Sequence, residues 1–118
     1  MDIKNIQEKL SRFAKERDWE QFHSPKNLIM ALTSEVGELS DIFQWLTEEQ
    51  SKKENISDDN LGLAKEEIAD ILIYLIRISD KLDIDLEKEV LKKIKLNEKK
   101  YSIDKSKGNA LKYNRRND

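Results

Sequence analysis

Apolar residues recur at Ile3, Ile6, Leu10, Phe13 and Ala14, with spacings of three and four that predict an amphipathic helix over residues 2–17. The period breaks across Asp18–His23, where Trp19 and Phe22 fall out of register. Ser24 followed by Pro25 reads as an N-cap with proline at the first helical position. A second helix then runs to about Thr47, with Leu28, Leu32, Leu39, Ile42, Phe43 and Leu46 on its apolar side. Residues 48–57 are polar and read as a loop. Ser57 caps a third helix reaching about Leu82, and Asp83 or Asp85 caps a fourth that ends near Tyr101. Beyond it, residues 102–118 hold no sustained period and read as a basic tail, a loop or a segment ordered only against a partner. No internal repeat or convincing strand is seen. The expectation is an all-α chain, a four-helix bundle over residues 1–101 with the tail attached.

The run Ile71–Ile78 is apolar on nearly every side of a helix, and such a helix needs neighbours all round. A buried parallel strand competes for the run, but its flanks are helix-forming and free of turn residues. A lone four-helix monomer would struggle to cover it, so a homo-oligomer, a dimer or tetramer, is expected.

Composition narrows the chemistry. A chain of 118 residues suits one domain. It has no cysteine, which excludes disulfides, thiolate zinc sites and a cysteine nucleophile, and its one histidine excludes a multi-histidine metal site within the chain. No Gly-rich phosphate loop is present, and no apolar run approaches the ~20 residues of a membrane span. The charged, amphipathic N-terminus does not read as a secretory signal. A soluble, cytoplasmic domain with no membrane partner is expected. Residues 92–116 hold ten Lys or Arg against Glu98 and Asp104, whereas residues 1–91 hold 12 against 21 acidic residues. An acidic body with a basic end fits a nucleic acid polymer poorly. It suits a metal cluster beside groups that neutralise phosphates, or simply well-solvated helices.

Two motifs carry candidate chemistry. Glu35 and Glu38 lie three apart in the second helix, as do Glu67 and Asp70 in the third, so each pair shares one helix face. Both pairs stand beside core positions: Leu32, Val36 and Leu39 flank the first, Ile68 and Ile71 the second. Carboxylates near an apolar face repel and are costly to desolvate, and a hard divalent cation offsets both effects. Either pair alone is also a common solvated pattern. Gly37 adds weight, because glycine inside a helix costs ~1 kcal/mol relative to alanine and close approach of a helix or ligand would explain it. Trp45 and Tyr74 fall on the same stripes as the carboxylates and would stack a flat heterocycle or pack in the core. Trp19, Phe22 and His23 form a third aromatic group; His23 reads as a hydrogen-bonding loop residue or a base. Lys93, Asn97 and Lys100 share a face of the fourth helix, as phosphate binders or as a solvated surface.

These blocks resemble a known family. The pattern Glu35-x2-Glu38…Glu67-x2-Asp70 is similar to the E-x-x-E…E-x-x-D signature of the all-α nucleoside triphosphate pyrophosphatases, the MazG-like superfamily. The blocks ERDWEQFHSPKNL, SEVGELSDIFQW, EEIADILIYL and K-x3-N-x2-KY resemble its dCTP pyrophosphatase branch over residues 6–101. The resemblance implies a helical homo-oligomer with active sites shared between subunits, and magnesium-dependent hydrolysis of a nucleoside triphosphate to monophosphate and pyrophosphate, manganese substituting. It implies that Glu35, Glu38, Glu67 and Asp70 hold the metal, that Trp19, His23, Trp45 and Tyr74 surround the nucleoside, and that Lys93 and Asn97 reach phosphate or sugar. Glu38 is the carboxylate expected to accept the attacking water's proton, with Asp41 one turn on. A preference for dCTP and 5-substituted dCTP is expected. A broad hydrolase of non-canonical nucleotides and a non-enzymatic helical interaction protein are the alternatives.

Overall fold

Each long helix begins where a short polar side chain accepts a hydrogen bond from the first turn. In the computed structural model, which describes residues 1–110, Asp2 Oδ1 accepts from Asn5 N (3.1 Å) to open α1, Ile3–Glu16. Ser24 Oγ accepts from Asn27 N (3.2 Å), and Pro25 takes the first position of α2, Pro25–Phe43. Ser57 Oγ accepts from Asn60 N (3.2 Å) at the start of α3, Asp58–Lys81. Asp58 and Asp59 in its first turn complement the helix dipole. Asp85, rather than Asp83, caps α4, Leu86–Lys100, by accepting from Lys88 N (3.1 Å). Asp83 instead turns the chain out of α3 with φ 53°.

Two expectations need correcting. The second helix ends at Phe43, not near Thr47. Thr47 N donates to Gln50 Oε1 (2.9 Å) while Gln50 N donates to Thr47 Oγ1 (3.1 Å), and this reciprocal pair starts a turn that diverts the backbone from the helix. The tail is not structureless throughout: Ile103–Ser106 form a short helix, α5, and residues 111–118 lie outside the described residues.

The all-helical expectation holds, with no strand among the described residues. None of these helices is long and apolar enough to cross a membrane. Met1–Ile84 form one compact unit, in which α2 and α3 make the principal packed pair and α1 lies on α3. Its core is small: Ala14, Leu28, Ala64 and Ile76 are the fully buried apolar side chains. Ile73 and Leu75 of the apolar α3 run remain partly exposed. The second unit begins at Asp85 and contains α4 and α5; Val90, Leu91, Ile94 and Leu96 of α4 are exposed apolar residues.

Nothing within the chain approaches Gly37: a Cβ built there meets no atom within 4 Å, so the close approach expected from the sequence is not made inside one copy. Gly62, in the opening turns of α3, stands in equally open space. We expect Gly62→Ala to stabilise the chain by about 1 kcal/mol through helix propensity alone. Ile76→Ala, at a side chain 1% exposed, should cost about 2–5 kcal/mol. Urea unfolding measured by circular dichroism checks both.

Candidate active site

Packing of α2 on α3 brings carboxylates from two distant sequence motifs together. Glu35, Glu38 and Glu67 can each offer an oxygen to a point where all the oxygens lie within 4.8 Å of one another. Glu35 and Glu67 are half-buried and Glu38 is exposed. The Oε2 atom of Glu67 is buried without a hydrogen-bond partner, the one such side-chain atom among the described residues. A buried carboxylate oxygen without a donor is costly, because desolvation is not repaid. A divalent cation coordinated by oxygen would satisfy it, so the donor set fits the metal the sequence motif implies. Asp70, the fourth expected ligand, falls outside this trio and instead lines an adjoining cleft with Glu35.

The cluster leaves a mark on proton affinity. Glu67 is pushed up from 4.5 to about 7, first by the neighbouring Glu35 carboxylate, then by burial and by Glu38.

The cleft has a volume of about 450 Å³, within the ~300–1,000 Å³ span of small-molecule sites. Leu10, Leu28 and Ile73 give it an apolar lining, Phe13, Trp19 and Tyr74 supply rings, and His23 and Arg77 face it together with Glu35 and Asp70. The Phe13 and Trp19 rings meet edge-on with centroids 5.6 Å apart, and Trp19 meets His23 at 6.2 Å. Burial, followed by the charges of Glu35 and Asp70, raises the Tyr74 hydroxyl above its ordinary value, so it remains a hydrogen-bond donor. A larger depression on α4, lined by Asp85, Lys88 and Lys95 among others, has no aromatic ring in its lining.

Of the residues singled out in the sequence, Trp19, His23, Tyr74, Glu35 and Asp70 meet in the cleft, and Glu38 and Glu67 join Glu35 in the trio. Trp45 does not: it is 86% exposed just beyond α2 and is absent from the cleft lining. The Asn27 side chain donates from Nδ2 to Phe22 O (3.0 Å) and so fastens the turn before α2. Lys93 and Asn97 are exposed on α4. Sequence reasoning missed Phe13, Ile73 and, above all, Arg77. The signal for Arg77 was present, as a lone cation inside the apolar run Ile71–Ile78.

The MazG-like family model matches residues 30–115, which include both carboxylate pairs. This chain belongs to the MazG-like family. Among its relatives, dCTP pyrophosphatase 1 of Bos taurus is 41% identical over 111 residues, and that of Homo sapiens is 38% identical over the same length, in each case 94% of this chain. The chain spans 66% and 65% of the length of these two curated relatives, just under two thirds. The crystal structure of a pyrophosphatase from Archaeoglobus fulgidus DSM 4304 superposes with a TM-score of 0.78 at 35% identity, covering 86% of this chain and 94% of that one. The helical framework of this MazG-like chain is therefore shared with a solved relative.

The trio predicts how stability responds to pH. Because Glu67 binds its proton more tightly folded than unfolded, its contribution is full below pH 4.5 and declines as pH rises to about 7. Above that, the folded chain carries the whole like-charge repulsion. In EDTA, Glu67→Gln should therefore melt higher than wild type at pH 8, with little difference at pH 4.5. Millimolar magnesium at pH 8 should raise the wild-type Tm by mass action and raise that of Glu67→Gln far less. Thermal unfolding at the two pH values, with and without magnesium, reads all of these differences.

Proposed function

We propose that the chain is a metal-dependent pyrophosphohydrolase converting a deoxynucleoside triphosphate and water into the monophosphate and pyrophosphate, with dCTP preferred. The observation that carries this proposal is the unpartnered, buried Glu67 Oε2 within a carboxylate trio beside an aromatic cleft. The naming of two relatives as dCTP pyrophosphatase 1 supports the choice of base.

Glu35, Glu38 and Glu67 would hold magnesium, with Asp70 completing the set from the cleft side. When bound, the cation supplies charge neutralisation for the phosphate oxygens. Glu38, the exposed member of the trio, accepts a proton from the water that attacks the α-phosphorus. The new bond forms from water oxygen to α-phosphorus, and the bond from α-phosphorus to the bridging oxygen of pyrophosphate breaks. Trp19 and Tyr74 offer ring faces to the base, a contact worth ~1–3 kcal/mol that is blind to base identity. Base choice therefore falls to polar groups, which penalise a wrong partner by leaving a buried donor or acceptor unpaired.

Trp45 belongs to this proposal through a second copy of the chain. A tryptophan 86% exposed in one copy buries usefully only against another surface, and the partly exposed Leu75 and the apolar residues of α4 supply area for such an assembly. A solution mass of at least two 13.9 kDa chains is expected by light scattering at micromolar concentration. A monomer that retains full activity would remove Trp45 from the site.

Pyrophosphate release measured across the four canonical deoxynucleotides and 5-substituted dCTP tests the activity. We expect dCTP and its derivatives to show the highest kcat/KM. Equal efficiency on dATP, dGTP and dCTP would refute the preference and leave a broader hydrolase. Glu38→Gln removes a charge with little change of shape, so it should retain the circular dichroism spectrum and lose at least ~100-fold in kcat. Near-wild-type turnover in that variant would take Glu38 out of the chemistry.

A further inference from the structure

Arg77 is 5% exposed, and a buried guanidinium is expensive unless paired. Each part of it is engaged. Its Nη2 donates to Glu20 Oε1, and Nη1 lies 3.6 Å from Asp80 Oδ2. The second oxygen of Glu20 accepts from Lys81 Nζ. The third nitrogen, Nε, donates its N–H to His23 Nδ1 at 3.4 Å. An imidazole nitrogen that faces an N–H must present its lone pair, so the proton of the neutral ring resides on Nε2.

The geometry points to Arg77 as a positioning residue that locks His23 in the neutral Nε2–H form, so the imidazole offers the cleft a fixed hydrogen-bond donor to an acceptor on the bound nucleotide. Protonating His23 would set an Nδ1–H against the Arg77 Nε–H. Burial and then the Arg77 charge also hold the imidazole below its ordinary value. The lysine–arginine pair keeps Glu20 ionised, with its carboxyl lowered to about 2, which anchors the guanidinium across the working range. The charged and titratable groups around His23 are Glu20 on its own turn, Arg77, Lys81 and Asp80 on α3, and, across the cleft, Tyr74 and Asp70 of α3 and Glu35 of α2. A donor of fixed polarity selects: a ligand presenting an N–H at the same place leaves two donors facing each other. This inference rests on the proposed reading of the cleft as the nucleotide site, but its first test does not.

His23 is the only histidine in the chain, so a nitrogen–proton correlation spectrum of the histidine-labelled protein reports this ring alone. In the free wild-type protein at pH 8 we expect Nδ1 bare and Nε2 protonated. Arg77→Lys retains the buried charge but loses the Nε–H, and should show both tautomers in exchange. A wild-type ring with Nδ1 protonated, or an Arg77→Lys spectrum identical to wild type, overturns the inference. The kinetic arm uses dCTP. Arg77→Lys should raise KM roughly tenfold with kcat within about threefold. His23→Gln, whose amide N–H lies near the Nε2 position, should recover most of the KM lost in His23→Ala. Equal KM in wild type, His23→Gln and His23→Ala would also overturn it. If wild type does not hydrolyse dCTP, the proposed function fails, while the spectrum still decides the tautomer.

Discussion

Three carboxylates that can place oxygens within 4.8 Å of one another repel at a helix interface, and their repulsion costs folded stability unless something offsets it. The rest of the first unit is arranged around that constraint. The pairs at i and i+3 are fixed by helix geometry, so once α2 packs on α3 the Glu35–Glu38 face meets Glu67 without any loop having to deliver a side chain. Leu28 and Ile76, 2% and 1% exposed, tie the unit together, and the charged cluster is carried on an already packed framework. A site built on helices rather than loops holds its geometry at the cost of stored repulsion, which appears in the raised proton affinity of Glu67.

The opposite sign is handled in the same helix. Seven residues beyond Asp70, or about two turns along α3, Arg77 is buried and compensated by Glu20 and Asp80. The cleft therefore has a carboxylate-bearing part at Glu35 and Asp70 and a cation-bearing part at Arg77, with Trp19 and Tyr74 among its walls. A neutral heterocycle suits the aromatic part of such a lining, whereas a polyanion suits only a carboxylate region whose charge has been offset. This asymmetry limits how a nucleotide would lie: phosphates toward the carboxylates and their cation, base among the rings.

How much of this was legible in the sequence follows from the range of the interactions. Helix starts were legible because a cap acts over three residues, as Ser24, Ser57 and Asp85 show. The carboxylate faces were legible for the same reason. Joining the two faces across α2 and α3 came from the resemblance, since nothing in local spacing brings Glu35 to Glu67. The Glu20–Arg77 pair spans 57 positions and has no local signature beyond a cation in an apolar run. The end of α2 was missed because side-chain exchange between Thr47 and Gln50 overrode a hydrophobic pattern that continued to Leu46. Gly37 misled in an instructive way: a helix-weakening residue invites a search for a close neighbour, and within one copy there is none.

That open space at Gly37 has the same character as the exposure of Trp45. Both lie on or just beyond α2, near the Glu35–Glu38 motif in sequence, and neither is accounted for by contacts within one chain. A small core of four buried apolar residues makes the first unit a poor candidate for standing alone, since the hydrophobic term scales with area removed from water. Covering Leu75 and Trp45 would add to that term at about 25 cal/mol per Å² buried. In the proposed assembly, stability and site completion then have a common origin. The surface that hides the apolar residues also supplies the ring that one chain leaves in water, so a loss of association would weaken the fold and the nucleotide site together.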